Sequence, residues 1–307
     1  MTLKIGIHAG QQDCTYDDLQ RLWSMAEDAG VYWISLWDHF YDNPSLEGNG
    51  DCFEAVSMLS ALASSTSKVR VGCLVFSTTY RNPAILAKIA ATIDHISDGR
   101  LELGLGAGWF ELEHLAYGIP FPPTGIRLDM LEEAVKIIKS MLTKDSTTFH
   151  GKHFSVENAV CNPKPIQNPL PMYSPGRNPG SLRRIAKNSM GYLIRNSEAQ
   201  DRLEAIKPFL TEYGRDISEL DVVAESHLSL ASTHQDAVTN YQNSRLGDRS
   251  KSMNIGDMNK VISDNWIGTV NEVVEKIVST KEMGISHYLA LHIAGDTVEA
   301  QKEQMQL

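Results

Sequence analysis

The chain has 307 residues and a mass of 34.1 kDa, and its 42% hydrophobic and 21% charged content is that of a soluble globular protein, which excludes a disordered, collagen-like or disulfide-scaffold chain. Twenty-eight basic residues against thirty-eight acidic ones leave a net charge of −10. A chain so acidic repels a nucleic-acid backbone, and no Lys/Arg run supplies a local basic patch. No apolar run approaches the roughly 18 residues of a membrane span, and Met1 to Gly10 carry no signal-peptide pattern. Cys14, Cys52, Cys73 and Cys161 are widely separated and form no CxxC motif, so they read as reduced thiols of a cytoplasmic protein.

In chain order, Leu3–Ala9 reads as a strand. Tyr16–Ala29 reads as a helix with Leu19, Leu22, Trp23 and Ala26 on one face and Gly30 as its stop. Val31–Trp37 is a second strand, Phe53–Ala63 a helix, and Val69–Phe76 an apolar strand. Asn82-Pro83 opens the next helix, with Asn able to cap it and Pro suited to its first position. That helix runs to about Ile96 and ends at Asp98-Gly99, and Arg100–Leu105 is a fourth strand. The helix over about Arg127–Leu142 carries the stripe Leu128, Leu131, Val135, Ile138 and Leu142, with Glu132 and Lys136 an i,i+4 pair on the other side. The segment Asp145–Pro171 is rich in Pro, Asn and His and breaks the rhythm, as an insertion with a short hairpin would. The short strand Met172–Tyr173 precedes a helix beginning near Pro179. Thr269-x-x-Glu272 is a capping box ahead of an apolar helix that Gly284 stops, before a last strand over Ile285–Ile293.

Strands separated by helices of this length imply βα units and a parallel sheet covered on both faces. About eight such units fit the length. A closed (β/α)8 barrel of TIM type is expected over an open doubly wound sheet, as one domain spanning residues 1–307 with 145–171 as an insertion segment.

Several motifs fall at the carboxyl ends of strands, where barrel enzymes place their chemistry. Trp37-Asp38-His39-Phe40 follows the second strand. His39 can donate or accept a proton or a hydrogen bond, or Asp38 can simply cap a turn while His39 packs. Arg81 can grip an anion or pair with a carboxylate. Leu103-Gly104-Leu105-Gly106-Ala107-Gly108-Trp109 lacks the third glycine of GxGxxG, which disfavours a nicotinamide-binding turn. Its bare backbone lets the strand pack in a barrel, or lets a flat ring or phosphate come close. Ser174-Pro175-Gly176-Arg177 lies ahead of a helix N-terminus, a ready anion site, and Arg177, Arg183, Arg184 and Lys187 cluster positive charge there. His150 and His153 have no evident third ligand, so no metal site is expected. Glu111, Glu113 and His114 can form a polar group after Trp109, and without a partner they read as loop or helix-start residues. GxxxxGK[ST], HExxH and GxSxG are absent.

Together these segments resemble the bacterial luciferase-like family, and most closely its branch that uses the deazaflavin coenzyme F420. The resemblance rests on Asp38-His39-Phe40, on Thr79-Tyr80-Arg81-Asn82-Pro83-Ala84 through Ala87-Lys88, and on the ordered block from Asp98 to Phe110. It continues through Glu113-His114-x-x-Tyr117-Gly118-Ile119-Pro120-Phe121-Pro122-Pro123, Arg127-Leu128, Leu131-Glu132-Glu133-Ala134 and the C-terminal helix and strand. It implies a (β/α)8 barrel with an insertion after its fourth βα unit and the cofactor at the C-terminal mouth. By position, Asp38 and His39 would line the ring and act as the catalytic pair, with Asp38 orienting His39. A cis peptide at Leu74-Val75 would form a bulge behind the ring. Gly106, Ala107, Gly108 and Trp109 would approach the ring or its side chain, and Ser174, Gly176 and Arg177 would meet the phosphate.

The implied activity is hydride transfer between F420 and a small organic substrate. An FMN-dependent monooxygenase on the same barrel is the alternative, and a non-catalytic cofactor carrier, with Trp109 and Phe110 filling the space above the ring, is a third. A basic groove near Lys164, Arg177, Arg183 or Lys187 would suit the oligoglutamate tail of F420. Two departures stand out. Trp109 takes the place of the catalytic Glu of sugar-phosphate dehydrogenases, which argues against sugar-phosphate oxidation. Ser189-Met190-Gly191-Tyr192 replaces Ala-Asp-Gly-Trp after the phosphate helix. Family members are often homodimers, and their substrates are set by loops, here Tyr41–Asp51, Asp145–Pro171 and Gly247–Asn265.

Overall fold

A computed structural model describes residues 3–42, 50–188, 190–244, 246–248, 257–294, 300 and 303–304. In chain order the elements are β1 (Ile5–His8), α1 (Tyr16–Asp28), β2 (Trp33–Leu36), α2 (Ala55–Ser65), β3 (Arg70–Ser77), α3 (Pro83–Ile96), β4 (Leu101–Gly106), α4 (Glu111–Ala116) and α5 (Thr124–Thr143). Then come β5 (Thr147–His150), β6 (Ser155–Ala159), β7 (Met172–Pro175), α6 (Pro179–Lys187), β8 (Gly191–Arg195), α7 (Ala199–Glu212), β9 (Val222–Leu230), α8 (His234–Gln242), α9 (Met258–Asp264), β10 (Trp266–Gly268), α10 (Val270–Lys281) and β11 (His287–Ile293). Eight strands pair in parallel in the order β1-β2-β3-β4-β7-β8-β9-β11, and β11 pairs back onto β1. This closes a (β/α)8 barrel. The short β10 adds to β9 beyond the ring. The antiparallel hairpin β5–β6 lies in the expected insertion.

Local chemistry accounts for the element ends. Thr15 and Asp18 form a capping box on α1, Asn82 caps α3 with Pro83 in its first turn, and Thr269 and Glu272 cap α10. These supply acceptors for helix N–H groups that have no partner within the helix. The Glu132–Lys136 pair is present at 2.9 Å. The helices bury their apolar stripes on the outside of the sheet, and Trp33, Leu74, Tyr173, Leu193, Val223 and Leu289 fill the inside.

The β3–β4 pairing decides what the glycine run does. Its register slips between Cys73 and Phe76, and the Leu74–Val75 peptide there is cis. A Cβ on Gly104 would sit 2.3 Å from the Cys73 carbonyl oxygen, and one on Gly106 would sit 2.6 Å from Val75 Cγ2. These two glycines are bare to admit the bulge of the neighbouring strand, which is the packing reading of the motif. Among the described residues no helix is long and apolar enough to cross a membrane.

Candidate active site

A cavity of about 590 Å³ opens at the C-terminal mouth of the barrel, and all eight strands or the turns after them contribute to its wall. His8, His39, Leu74, Ser77, Gly108 and Trp109 border one side. Arg177, Arg195, Glu198, Glu225 and His227 border the other, with Val261 and Asp264 of α9 and the following Asn265 adding to the wall. The volume is that of an ordinary small-molecule or cofactor site.

His39 is held by Glu113. Its Nδ1 lies 2.9 Å from Glu113 Oε2, which also accepts from the Tyr80 hydroxyl at 2.6 Å, while Oε1 accepts the N–H groups of Phe40 and Tyr41 at 2.7 and 2.8 Å. The Glu113 side chain is fully buried. Burial by itself would raise its carboxyl pKa. The hydrogen bond and charge of His39, with those of Tyr80 and Tyr41, outweigh burial and hold it below the ordinary value. Because a carboxylate only accepts, Nδ1 carries hydrogen, and Nε2 is the ring nitrogen left for proton exchange. Burial and the neighbouring Glu113 push the Tyr80 phenol well up.

Asp38 does something different from what its position suggested. Its carboxylate makes a bidentate pair with Arg81, at 2.6 and 2.7 Å, and accepts the Ser77 N–H at 2.8 Å. Arg81 also reaches Glu54 at 2.9 Å. Burial pushes the Asp38 carboxyl up, and Arg81 and the Ser77 N–H oppose that. Arg81 is thus the carboxylate partner rather than an anion grip. Glu113, read from sequence as a loop or helix-start residue, is the group that orients His39, and Asp38 is not.

Deeper in the mouth, His8 Nδ1 lies 2.8 Å from Ser35 Oγ, and its ring packs edge-on to Trp37 at 4.9 Å. Burial, and then repulsion from His39, push the His8 imidazole down to about 3. Trp109 is 52% exposed, stacks on Phe110 at 5.0 Å and meets His39 edge-on at 5.4 Å.

Of the other expected cofactor residues, Leu74, Val75, Gly108, Trp109 and Arg177 border the cavity. Gly106 and Ala107 are not among its lining residues. Ser174 is buried, with its hydroxyl donating to the Leu105 carbonyl at 2.8 Å, and the Gly176 carbonyl accepts from the Tyr192 hydroxyl at 2.7 Å. The expected positive cluster does not converge. Arg177 pairs with Glu198, Arg183 with Glu212, Arg184 with Asp129 and Glu132, and Lys187 with Glu132. Lys164 donates to the carbonyls of Met141 and Lys144. Arg195, which borders the cavity, pairs with Glu225 at 3.3 Å. His150 pairs with Glu157 at 3.1 Å. Ser189 and, in the loops expected to select substrate, residues 43–49 and 249–256 lie outside the described residues.

Sequence reasoning missed the inward face of α4. Glu113 and His114 are fully buried while Leu112 and Leu115 are exposed, the reverse of an amphipathic helix. The available signal was the adjacent Glu-His pair shortly after a glycine-rich strand end.

Residues 2–287 match the model of the luciferase-like monooxygenase family. An F420-dependent glucose-6-phosphate dehydrogenase of Kineococcus radiotolerans is 30% identical over 244 residues, covering 78% of this chain and 71% of the relative. Among solved structures, an F420-dependent secondary alcohol dehydrogenase in complex with an F420-acetone adduct superposes with a TM-score of 0.84 at 22% identity, covering 99% of this chain and 97% of that one. The monooxygenase RslO1 of Streptomyces bottropensis superposes with a TM-score of 0.82 at 20% identity, covering 99% and 97%. With the family model spanning nearly the whole barrel, the chain belongs to the luciferase-like monooxygenase family.

Proposed function

We propose that this chain is an F420-dependent oxidoreductase that moves a hydride between the deazaflavin and a small organic substrate in the mouth cavity. The observation that carries the reading is the buried Glu113–His39 pair at the edge of that cavity, beside the Leu74–Val75 bulge. The F420-dependent relatives support the choice of cofactor.

The residues present fit a flat ring with a polar tail. Leu74 and Val75 offer an apolar wall for a ring face, Gly108 brings bare backbone to the same side, and Trp37 and Trp109 add aromatic surface. At the other side Arg177, Arg195 and Ser197 supply the donors for a phosphate. Bound F420 supplies a ring carbon that gives or takes a hydride. Glu113 fixes the tautomer of His39, so that Nε2 can take a proton from a substrate hydroxyl or return one to a carbonyl. Asp38 and Arg81 tie the turn after β2, which carries His39, to the end of β3 at Ser77 and the turn that follows. Ser174 and Gly176 shape the turn after β7 that presents Arg177. The exposed indole of Trp109 beside His39 favours a small neutral substrate over a sugar phosphate.

Fluorescence titration of the purified protein with F420 and, separately, with FMN tests this. Tight F420 binding with weak FMN binding is expected. Preference for FMN would replace the reading with the flavin monooxygenase, and binding of neither would overturn both.

A further inference from the structure

Behind Gly108 runs a chain of three hydrogen-bonding side chains that reaches the cavity. Ser77 Oγ lies 2.7 Å from Thr79 Oγ1, Thr79 Oγ1 lies 2.7 Å from His114 Nε2, and His114 Nδ1 lies 2.7 Å from the carbonyl oxygen of Phe110. Ser77 borders the cavity, and His114 is fully buried.

The direction of every bond in this chain follows from its inner end. A carbonyl oxygen only accepts, so His114 Nδ1 carries the hydrogen. Burial lowers the pKa of His114, which leaves the ring neutral near pH 7. Nε2 then has a lone pair and no hydrogen, and Thr79 must donate to it. Thr79 has spent its one hydrogen, so Ser77 must donate to Thr79. The single hydrogen of the Ser77 hydroxyl therefore points away from the cavity.

Gly108 makes the arrangement possible. A Cβ there would fall 2.7 Å from both Ser77 Oγ and Thr79 Oγ1 and 3.3 Å from His114 Nε2, and its φ is +73°.

We propose that Ser77 is a specificity residue whose hydroxyl is locked as a hydrogen-bond acceptor toward the cavity, with Thr79 and His114 as its positioning residues, so that the site selects a bound ligand presenting a hydroxyl or N–H. An unlocked serine would accept or donate as needed. A locked one rewards a donor and leaves a ligand carbonyl facing a lone pair. The donor belongs either to the cofactor or to the substrate. The proposal rests on the reading of the cavity as the active site.

The test compares Ser77→Ala, Thr79→Val and Thr79→Ser with the unaltered protein. Two quantities are read from tryptophan fluorescence, since Trp37 and Trp109 border the cavity. One is the Kd for F420. The other is the ratio of Kd values for propan-2-ol and acetone, a matched donor and acceptor. If the donor is on the cofactor, Ser77→Ala weakens F420 about tenfold, and Thr79→Val, which leaves the Ser77 hydroxyl able to accept but no longer aimed, weakens it less. If it is on the substrate, F420 affinity holds and the preference for the alcohol over the ketone falls about tenfold in both. Thr79→Ser keeps the chain and restores the unaltered values in either case. Twofold or smaller changes in both quantities, in folded Ser77→Ala and Thr79→Val proteins, overturn the proposal. Failure of the unaltered protein to bind F420 would strike the F420 reading alone, because the alcohol-to-ketone ratio is measured without the cofactor.

Discussion

Replacing Glu113 separates the structural and chemical parts of the His39 site. The carboxylate accepts four hydrogen bonds from a position with no solvent exposure. Glu113→Ala leaves the N–H groups of Phe40 and Tyr41, the Tyr80 hydroxyl and His39 Nδ1 without that acceptor. Each bond to a charged acceptor is worth roughly 1.5–3 kcal/mol, and water entering the vacated space recovers part of the sum. A loss of about 3–5 kcal/mol is expected, the range seen when one member of a buried charged network is removed. Glu113→Gln keeps the volume. Its amide oxygen can retain the two backbone bonds, and the Tyr80 hydroxyl can turn to accept from the amide nitrogen. The cost in stability should then be about 1–2 kcal/mol. The amide also donates to His39 Nδ1, which transfers the imidazole hydrogen to Nε2 and removes the proton acceptor the substrate needs. Turnover should fall about 100- to 10,000-fold, the usual contribution of a positioned acid or base, with F420 affinity unchanged. Urea unfolding midpoints give the stability of both variants, and deazaflavin absorbance under saturating substrate gives turnover. Glu113→Gln with wild-type turnover, or Glu113→Ala with wild-type stability, would refute the reasoning.

Other consequences are open to direct measurement. His39→Ala should abolish most turnover while F420 binding stays within about twofold, and equal turnover would remove His39 from the mechanism. Asp38→Ala leaves Arg81 with Glu54 as its one carboxylate partner among the described residues, so it should lower the unfolding free energy by about 3 kcal/mol. An unchanged urea midpoint would deny the bracing role. Acid should destabilise the fold before the carboxylates titrate. His8 and His287 are held neutral by burial, with pKa values down to about 3 and about 4, against about 6.5 unfolded. The unfolded chain then binds more protons, so each contributes stability that is full above about pH 6.5 and falls by roughly 1 kcal/mol per pH unit toward pH 4. Stability that stays flat from pH 7 to 5 would contradict this. Trp109→Ala removes a half-exposed indole, so the unfolding midpoint should hold while KM for the substrate rises. An unchanged KM would place the substrate away from that wall.

What the sequence determined by itself was the set of features that depend on near neighbours in the chain. Thr15, Asn82 and Thr269 cap their helices because a side chain three residues or fewer away satisfies a backbone N–H. The alternation of short apolar strands with amphipathic helices is enough to imply βα units and, at this length, a closed barrel. Even the mouth of the barrel was legible, because motifs after strands β2, β3, β4 and β7 must gather at one end of a parallel sheet. Tertiary structure decided which side chains there answer one another. His39 and Asp38 are adjacent in sequence, yet the backbone sends them to different partners, Glu113 and Arg81, which are 74 and 43 residues away. The inverted face of α4 could not be read from periodicity, because Glu113 and His114 are buried by what they bond to rather than by their hydrophobicity. The glycine run was open in sequence between strand packing and a ligand's close approach, and the neighbouring strand decided it, with Gly104 and Gly106 shaped by Val75 and Gly108 by the Ser77–Thr79–His114 chain. Local propensity is a property of a few consecutive residues. Pairing between buried polar groups depends on the path of the whole chain, and only the folded barrel brings those groups together.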